Sequence, residues 1–565
     1  MKRREFLHLA SNSIPLTLAL SSGAIAAEAN KPLASQPEPK VFFFDDGRHA
    51  AGLYQFEPPL TPSDHVYTVD QLAASGVDTY IYCANVEGGT AVYASQVSQK
   101  WGETVKDWTH YVWYRAARCL QQLIADGHDP LKLLCDRCHA LGIWMIPSAN
   151  VTLAGGDRAT YGGQGRKSDF VYDNPQFQVG EDPDDRAKQV SPLRFSFLHS
   201  AVREERFRVF EELLTRYETD GVELILSEMV PMCRFRDVPQ LKPVLTAWLA
   251  RLREVASKAE RAQQRRKRIV VRVPAHAACW EPIGCDVRRW VSDKLVDGLI
   301  CVTSDEEHMN QDLDLSEAVR MTRGTQCRVL ASFCNTLSRQ MIRYATPEMI
   351  WAAAANAYAQ GADGFGLGDA HWTPSGWPWT EKEYQTLRVL GHADLLATVD
   401  KCYHLRSKTN DKDPESWLPG SEKPLPRALK LGEPIELALR VSDDLKKYGP
   451  LGRVKKACLR LRFTNLVPSM DKVRVEWNGQ LLPESLMEKI DFTYRLWSGG
   501  AISPYGYIYE FTLPQQHYPI SGINSIKVAL VQRDPKLKLP LELRDIDCNV
   551  EYRLHRHFET NPVEY

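Results

Sequence analysis

The sequence predicts an α/β fold, a (β/α)8 or TIM barrel, followed by a C-terminal all-β sandwich domain. Eight apolar, strand-like runs alternate with helical patterns between Val41 and about Leu396. Several of those helices hand over to the next strand through a glycine. After Lys401 the helical period fades, and short segments of alternating apolar and polar residues replace it.

The eight runs are Val41–Asp46, Thr79–Val86, Ile143–Val151, Gly221–Glu228, Arg268–Pro274, Gly298–Asp305, Arg328–Asn335 and Gly364–Trp372. Helical patterns stand between them at Pro130–Ala140, Ala201–Tyr217, Val244–Ala259, Val287–Lys294 and Pro347–Gln360. The handovers read Leu141-Gly142-Ile143, Asp220-Gly221-Val222 and Asp363-Gly364-Phe365. Glycine accepts the left-handed conformation that ends a helix. A doubly wound open sheet competes with the barrel, but eight strands and the lack of a nucleotide fingerprint weigh against it.

Residues 38–404 are assigned to the barrel, and 405–426, rich in Pro, Lys, Asp and Ser, to a linker. Residues 427–565 form the expected sandwich, with strands Ile435–Val441, Cys458–Thr464, Lys472–Trp477, Tyr507–Leu513, Ser525–Val531 and Leu541–Tyr552. Asn478-Gly479 is a turn signal after the third of them.

Residues 1–26 read as a twin-arginine signal peptide. Lys2-Arg3-Arg4-Glu5-Phe6-Leu7 matches the pattern, and Ile14–Ile25 is an apolar stretch too short to span a bilayer. Ala24-Ile25-Ala26 supplies the small-x-small cleavage site, and no cysteine comes after it to carry a lipid. Ala27–Lys40 then reads as a tether. An exported, periplasmic or extracellular protein is expected, with no stable membrane insertion.

The 70 Lys+Arg balance 71 Asp+Glu, which argues against a sequence-independent nucleic-acid partner. The 13 cysteines are scattered through apolar runs, unlike a dense disulfide scaffold, and their odd number leaves at least one free. Cys135-Asp136-Arg137-Cys138-His139 matches the attachment motif of c-type haem. The motif lies inside a helical pattern, so packing is favoured over haem, zinc or redox chemistry. No cofactor and no metal is assigned.

In a barrel, chemistry collects at the C-terminal ends of the strands. Those ends carry Asp45-Asp46, Asn85 with Glu87, Asn150, Ser227-Glu228, Arg272 with His276, Asp305-Glu306-Glu307, Asn335, and Asp369 with His371 and Trp372. Carboxylates and amides match sugar hydroxyls, and indole rings match a sugar's weakly apolar face. The long connections Gly88–Val112 and Thr152–Pro192 add Trp101, Trp108 and the adjoining Trp113, and Trp377 and Trp379 lie in the last loop. An acidic rim equally suits a metal or a small metabolite.

Four stretches carry a family resemblance. Asp129-Pro130-Leu131 through His139-Ala140-Leu141-Gly142, Tyr217 with Asp220-Gly221-Val222-Glu223-Leu224, Val271-Arg272-Val273-Pro274 and Gly361-Ala362-Asp363-Gly364 resemble the glycoside-hydrolase-like family 10 barrels of planctomycetes and their relatives. Glu383–Tyr403 and the final β-domain, with Asn478-Gly479 and Gly522-Ile523-Asn524, are similar to the segments C-terminal to those barrels. The resemblance implies a polysaccharide-active or sugar-binding barrel. This sequence departs from the family at Ile225, where such barrels carry a second acidic residue two positions beyond Glu223. The chitinase-like pattern Asp-Gly-x-Asp-x-Asp-x-Glu also fails, at Ile225 and Ser227.

Strand alternation places Glu223, Ile225 and Ser227 on the inner face of the fourth run, and Arg268, Val270 and Arg272 together on one face of the fifth. A buried Glu223 beside Arg272 either neutralises itself in the core or keeps a working Glu223 ionised. Glycosidic hydrolysis normally uses two carboxyl groups, about 5–5.5 Å apart for retention and about 6.5–9.5 Å for inversion. The expected catalytic set is Glu228 as acid, Asp305 as nucleophile or base, and Glu223, with Asp46 and Asp369 as substitutes. Asp305 is expected to point inward because Leu299, Cys301, Thr303 and Asp305 alternate onto one face. The seventh run ends in Ser332-Phe333-Cys334-Asn335 and offers no carboxylate.

Expected substrate contacts are Asp46, Asn85, Asn150, Arg272, His276, Asp369, His371 and Trp372. The expected function is an exported glycoside hydrolase acting on a complex polysaccharide. Sulfated or acidic chains are included, because Arg272, Arg158 and Arg166 can meet their anions. The alternative is a carbohydrate-binding barrel that has lost its hydrolytic residues, as Ile225 allows.

Overall fold

Eight parallel strands close into a barrel in the order β1-β8-β7-β6-β5-β4-β3-β2. They are β1 Val41–Asp45, β2 Thr79–Asn85, β3 Trp144–Asn150, β4 Gly221–Ile225, β5 Arg268–Pro274, β6 Gly298–Val302, β7 Arg328–Phe333 and β8 Gly364–Gly368. The structure is a computed structural model. It describes residues 38–47, 53, 56–303, 309–334, 336–338, 343–368, 379–408, 416–491 and 506–553. The expected signal peptide lies outside the described residues.

Period-two alternation sorts the strand residues into two cores. Val222, Leu224 and Leu226 of the fourth strand, with Ile269, Val271 and Val273 of β5, face the helical layer. Inside the barrel a second core gathers Phe42, Ile81, Ile146, Val270, Ile300 and Val302, with Phe44 and Leu330 packed against it. Gly366 makes room for this plug, since a Cβ there would stand 2.2 Å from the Phe42 ring. The sixth strand has the opposite phase to the one expected. Leu299 and Cys301 belong to the outer core, while Ile300 and Val302 point inside. The face on which Asp305 is expected is therefore the outer one, and Asp305 itself lies outside the described residues.

The lower rim is closed by a fourfold repeat. Asp78, Asp220, Asp297 and Asp363 each stand directly before an even-numbered strand. Each carboxylate accepts a backbone N–H from the preceding odd-numbered strand: Val41 at 3.1 Å, Met145 at 2.8 Å, Ile269 at 2.8 Å and Val329 at 2.8 Å. Strand starts would otherwise leave these donors unpaired.

Helix Pro130–Ala140 starts on Asp129, whose carboxylate accepts from the Leu131 N–H, with Pro130 in the first turn. Gly142 beyond it is left-handed, at φ +71°. After helix Pro347–Ala359 the left-handed residue is Gly361, at φ +97°, and not Gly364. Gly364 is needed for a close approach instead, because a Cβ there would lie 2.5 Å from the Lys40 carbonyl oxygen. The helix expected from Val244 begins at Val238 and accommodates Pro243 inside.

The C-terminal domain pairs a six-stranded antiparallel sheet with a four-stranded one. Its first strand, Lys401–His404, lies before the stretch read as linker and pairs with Leu541–Tyr552. Part of that stretch packs on the barrel: Trp417 meets Phe235 edge-on at 4.8 Å, and Leu418 is buried in the outer core. A buried Asp443 ties the domain together, accepting from Lys401 Nζ, Tyr403 OH and Tyr552 OH at 2.8 Å each.

The 13 cysteines form no disulfide, and 11 of them are buried. Cys135 and Cys138 project into the core, where burial pushes both thiols up. His139 is held by Asp220 at 2.9 Å. The Cys-x-x-Cys-His motif is thus spent on helix packing. No helix among the described residues is long and apolar enough to cross a membrane.

Candidate functional site

The inner faces of five strands converge on one charged pair near the barrel mouth. Glu223 of β4 and Arg272 of β5 are brought together by the strand register, which sets Glu223 beside Val270 and Ile225 beside Arg272. Arg272 Nε donates to Glu223 Oε1 at 2.8 Å, and its Nη1 donates to Ser332 Oγ of β7 at 3.3 Å. The guanidinium lies over the Phe44 ring of β1 at 4.4 Å. Glu223 is 0% exposed and Arg272 7%.

The pair does not satisfy itself. Glu223 Oε2 and Arg272 Nη2 are buried with no hydrogen-bond partner, and so are the hydroxyls of Ser148 and Ser227. Ser148 is the register neighbour of Glu223 on β3. Ser227 comes after Glu223 and Ile225 on the inner face. Each buried polar atom left unpaired costs about 1–3 kcal/mol, and native interiors hold few of them. Ser148 lies level with Glu223, Arg272 level with Ile225, and Ser227 comes two residues beyond Ile225.

Beyond Ser227 stands Glu228, half-buried. Asn150 Nδ2 of β3 donates to Glu228 Oε2 at 2.8 Å, and Thr152 Oγ1 donates to the Glu228 carbonyl at 3.3 Å. The next residue, Met229, has φ +52°, a left-handed conformation that is uncommon outside glycine and concentrates at functional turns. The fully buried Arg206 fixes the floor of this corner. Its Nη1 reaches both the Asn85 side-chain oxygen at 2.7 Å and the Asn150 carbonyl at 3.3 Å.

Several residues expected at the rim are placed elsewhere. Asn85 is 0% exposed, and its side chain is bound by Arg206, Ser98 and the Gly89 carbonyl, so it braces the loop. His276 caps a short 3-10 helix through the Ala278 N–H and packs against Gly420. It lines a separate cavity of about 230 Å³ between the barrel and the sandwich, together with Thr303, Asn310 and His404. Asp46 shares the inner face of the first strand with Phe42 and Phe44 by alternation and is 9% exposed. Asn335, Asp369, His371, Trp372 and Trp377 lie outside the described residues.

The arginines expected to meet sulfate are already engaged. Arg272 is neutralised by Glu223, Arg158 bridges Asp169 and Asp173 at 2.6 and 2.8 Å, and Arg166 pairs with Glu87. Among the tryptophans, Trp101 and Trp379 are buried. Trp113 is stacked on His110 at 3.9 Å and lies under Arg166 at 4.9 Å.

Ser148, Phe44 and Arg206 join the site without having been expected there. Ser148 shares its face with Trp144, Ile146 and Asn150, so strand alternation points to it. Arg206 stands in the apolar stripe Val202, Val209, Leu213, where a charge signals an inward partner. Among the described residues, no three His, Cys, Asp or Glu side chains gather as a metal site.

No family model matches the chain, and no curated protein matches its sequence. Solved structures do resemble it. The PgaB (BpsB) glycoside hydrolase domain from Bordetella bronchiseptica is 12% identical with a TM-score of 0.42, over 63% of this chain and 99% of that one. Alpha-L-fucosidase isoenzyme 2 from Paenibacillus thiaminolyticus is 12% identical with a TM-score of 0.36, over 63% of this chain and 48% of that one. A maltogenic alpha-amylase from Thermotoga neapolitana is 9% identical with a TM-score of 0.35, over 86% and 98%. The likeness is one of barrel fold, and at these values it carries no argument about the chemistry of the site.

Proposed function

We propose that the protein is an exported glycoside hydrolase that cleaves a complex polysaccharide at the barrel mouth, with Glu228 as the general acid. The observation that carries this reading is the Glu228 carboxyl, half-buried just past the end of the fourth strand and held at 2.8 Å by Asn150. A proton donor must be fixed in position yet reachable by the leaving oxygen. The resemblance to glycoside-hydrolase-like family 10 barrels supports the same chemistry.

The second carboxyl in this reading is Asp46, with Asp305 and Asp369 as the other candidates. Phe44 already reaches across the barrel to Arg272, and Asp46 is the next inner-face residue above Phe44. Glu223 is the poorer choice, because its charge is spent on Arg272 and it is fully buried.

The twin-arginine pattern supports export of an already folded chain. Thirteen thiols without a disulfide suit a protein that folds in a reducing compartment before leaving it.

The test is release of reducing ends by the mature protein from a broad polysaccharide panel, with Glu228→Gln alongside. Release by wild type and its loss in Glu228→Gln is the expected result. The second reading, a sugar-binding barrel without hydrolysis, draws on Ile225 beside a neutralised Glu223. Binding on a glycan array with no release from any substrate would select it.

A further inference from the structure

We infer that the cavity between the barrel and the sandwich binds one uncharged sugar unit, which makes the C-terminal domain part of the substrate-binding surface. The inference rests on the proposed function for the class of ligand and adds a binding site apart from Glu228.

The cavity holds about 230 Å³ and lies on the mouth side of the barrel. Ala275 and His276 come directly after β5, and Thr303 directly after β6. These are the strand ends at which barrel enzymes bind their substrates. The opposite wall belongs to the sandwich, through Leu405, Leu439 and Arg440. Cross-domain hydrogen bonds hold the two walls apart at a fixed spacing. Gln311 Nε2 donates to the Cys402 carbonyl at 2.9 Å, and the His404 N–H donates to Gln311 Oε1 at 2.7 Å. Asn356 Nδ2 donates to the Gln311 and Arg440 carbonyls at 3.0 and 3.3 Å. The space is thus formed before a ligand arrives, as in most small-molecule sites.

Existing bonds decide what the lining groups can offer. His276 Nδ1 accepts the Ala278 N–H at 3.3 Å, so in the neutral ring Nε2 carries the proton and donates. Asn310 Oδ1 accepts the Asp312 N–H at 3.0 Å, which leaves its Nδ2 group to donate. Asp314 Oδ1 accepts the N–H and the hydroxyl of Ser316 at 3.1 and 2.6 Å, which leaves Oδ2 to accept. All three side chains are partly or fully exposed, so a ligand can reach them. Spaced donors and an acceptor match the hydroxyls of a sugar, and Leu405, Pro424 and Leu439 offer its ring an apolar wall. Charge and size narrow the class. Among the described lining residues Arg406 and Arg440 are balanced by Asp312 and Asp314, so a sulfate or uronate meets no net opposite charge. The volume falls below the roughly 300–1,000 Å³ of a drug-sized pocket, which limits the occupant to one unit. Exposed Asp314 and Ala438 stand at the border, so the rest of a chain leaves into solvent.

The experiment titrates glucose, galactose, mannose, N-acetylglucosamine and glucuronate into the folded mature protein by saturation-transfer NMR, with thermal unfolding alongside. Wild type and Glu228→Gln are compared with three cavity variants. Asn310→Asp keeps the acceptor for the Asp312 N–H and withdraws the donor. His276→Ser keeps an oxygen for the Ala278 N–H and withdraws the ring N–H. Ala438→Trp fills the space from an exposed position. At least one neutral sugar is expected to bind wild type and Glu228→Gln equally, and glucuronate neither. Binding should be roughly tenfold weaker in Asn310→Asp and in His276→Ser, the loss of one good hydrogen bond. It should be absent in Ala438→Trp.

Binding that no cavity variant alters, or stronger binding of glucuronate, would overturn the inference, while Glu228-dependent release of reducing ends still upheld the hydrolase reading. Neutral-sugar binding that the cavity variants weaken, with no cleavage by wild type, would uphold the cavity site and sink the hydrolase. If no sugar binds and the variants change only thermal stability, the cavity holds ordered water alone and the inference fails. Should Ala438→Trp unfold, the two polar variants decide.

Discussion

Glu223 and Arg272 face each other across the seam between β4 and β5, with 2.8 Å between Oε1 and Nε, and each retains one buried polar atom without a partner. A buried ion pair in that condition stabilises weakly, because desolvation of both charges offsets most of their attraction. Removing one partner is a different matter.

Arg272→Met or Glu223→Leu alone should therefore destabilise the protein by about 3–5 kcal/mol, since the surviving charge stays buried and unpaired. The double variant Glu223→Leu/Arg272→Met should be more stable than either single variant. Urea unfolding of all four proteins checks this. Single variants that unfold at the wild-type midpoint would show that solvent, and not the partner, balances these charges.

The pairing is legible in the sequence because a strand has one period and one strong punctuation. Once the fourth run is read as Val222, Leu224 and Leu226 outward, Glu223 has to point inside, and the fifth run obeys the same rule. The sixth run defeats that logic. Gly298-Leu299-Ile300-Cys301-Val302 is apolar on both faces, so nothing in its residue types fixes the phase, and neighbouring strands alone decide that Ile300 points inward. Asn85 and His276 mislead for another reason. A polar residue at a strand end looks the same in sequence whether it meets substrate or a partner far along the chain, and Arg206 lies 121 residues from Asn85.

Arg206 acts on the site through Asn150 and is a positioning residue. Arg206→Met should remove the hold on the Asn150 carbonyl and slacken the amide that orients Glu228. On the hydrolase reading, kcat should fall by about ten- to a hundredfold with KM little changed, as for misplacement of a catalytic group. Asn150→Ala should reproduce the loss. A change in KM with kcat intact would assign Arg206 to binding instead.

The four aspartates of the lower rim predict effects on stability with no effect on turnover. Asp363→Ala strips the Val329 N–H of its acceptor at the start of β7. A loss of about 1–3 kcal/mol is expected, the cost of one unsatisfied buried donor. The rim lies at the strand starts, opposite the mouth, so kcat/KM of the folded fraction should equal that of wild type. Thermal unfolding together with an activity assay below the transition separates the two.

Thiol chemistry offers a check on the core. Burial pushes the Cys233 and Cys301 thiols up to about 12 and Cys119 up to about 11, so none of these is a ready nucleophile at neutral pH. Ellman's reagent should titrate at most the two partly exposed cysteines, Cys334 and Cys402, in the native protein, and all 13 in denaturant. Rapid native reaction at Cys135 or Cys138, located by mass spectrometry, would contradict the packed helix and reopen a ligand role for that motif.

The burial of His65 predicts a loss of stability in mild acid. It is 0% exposed in helix Pro62–Leu72, with Nε2 3.1 Å from the Pro130 carbonyl oxygen and Nδ1 buried without a partner. Burial lowers its pKa to about 4, against the opposing pull of the Pro130 hydrogen bond. The unfolded chain takes up the proton near pH 6.5, which the folded protein refuses until about pH 4. Between those values the unfolded state binds more protons, so stability falls as the pH is lowered through that window, by about 3 kcal/mol in all. His65→Gln keeps a donor for the Pro130 carbonyl and has no proton to gain. Its loss of stability between pH 7 and pH 4.5 should be about 2–3 kcal/mol smaller than that of wild type. Parallel urea titrations at the two pH values measure the difference, and equal slopes for both proteins would place the acid sensitivity elsewhere.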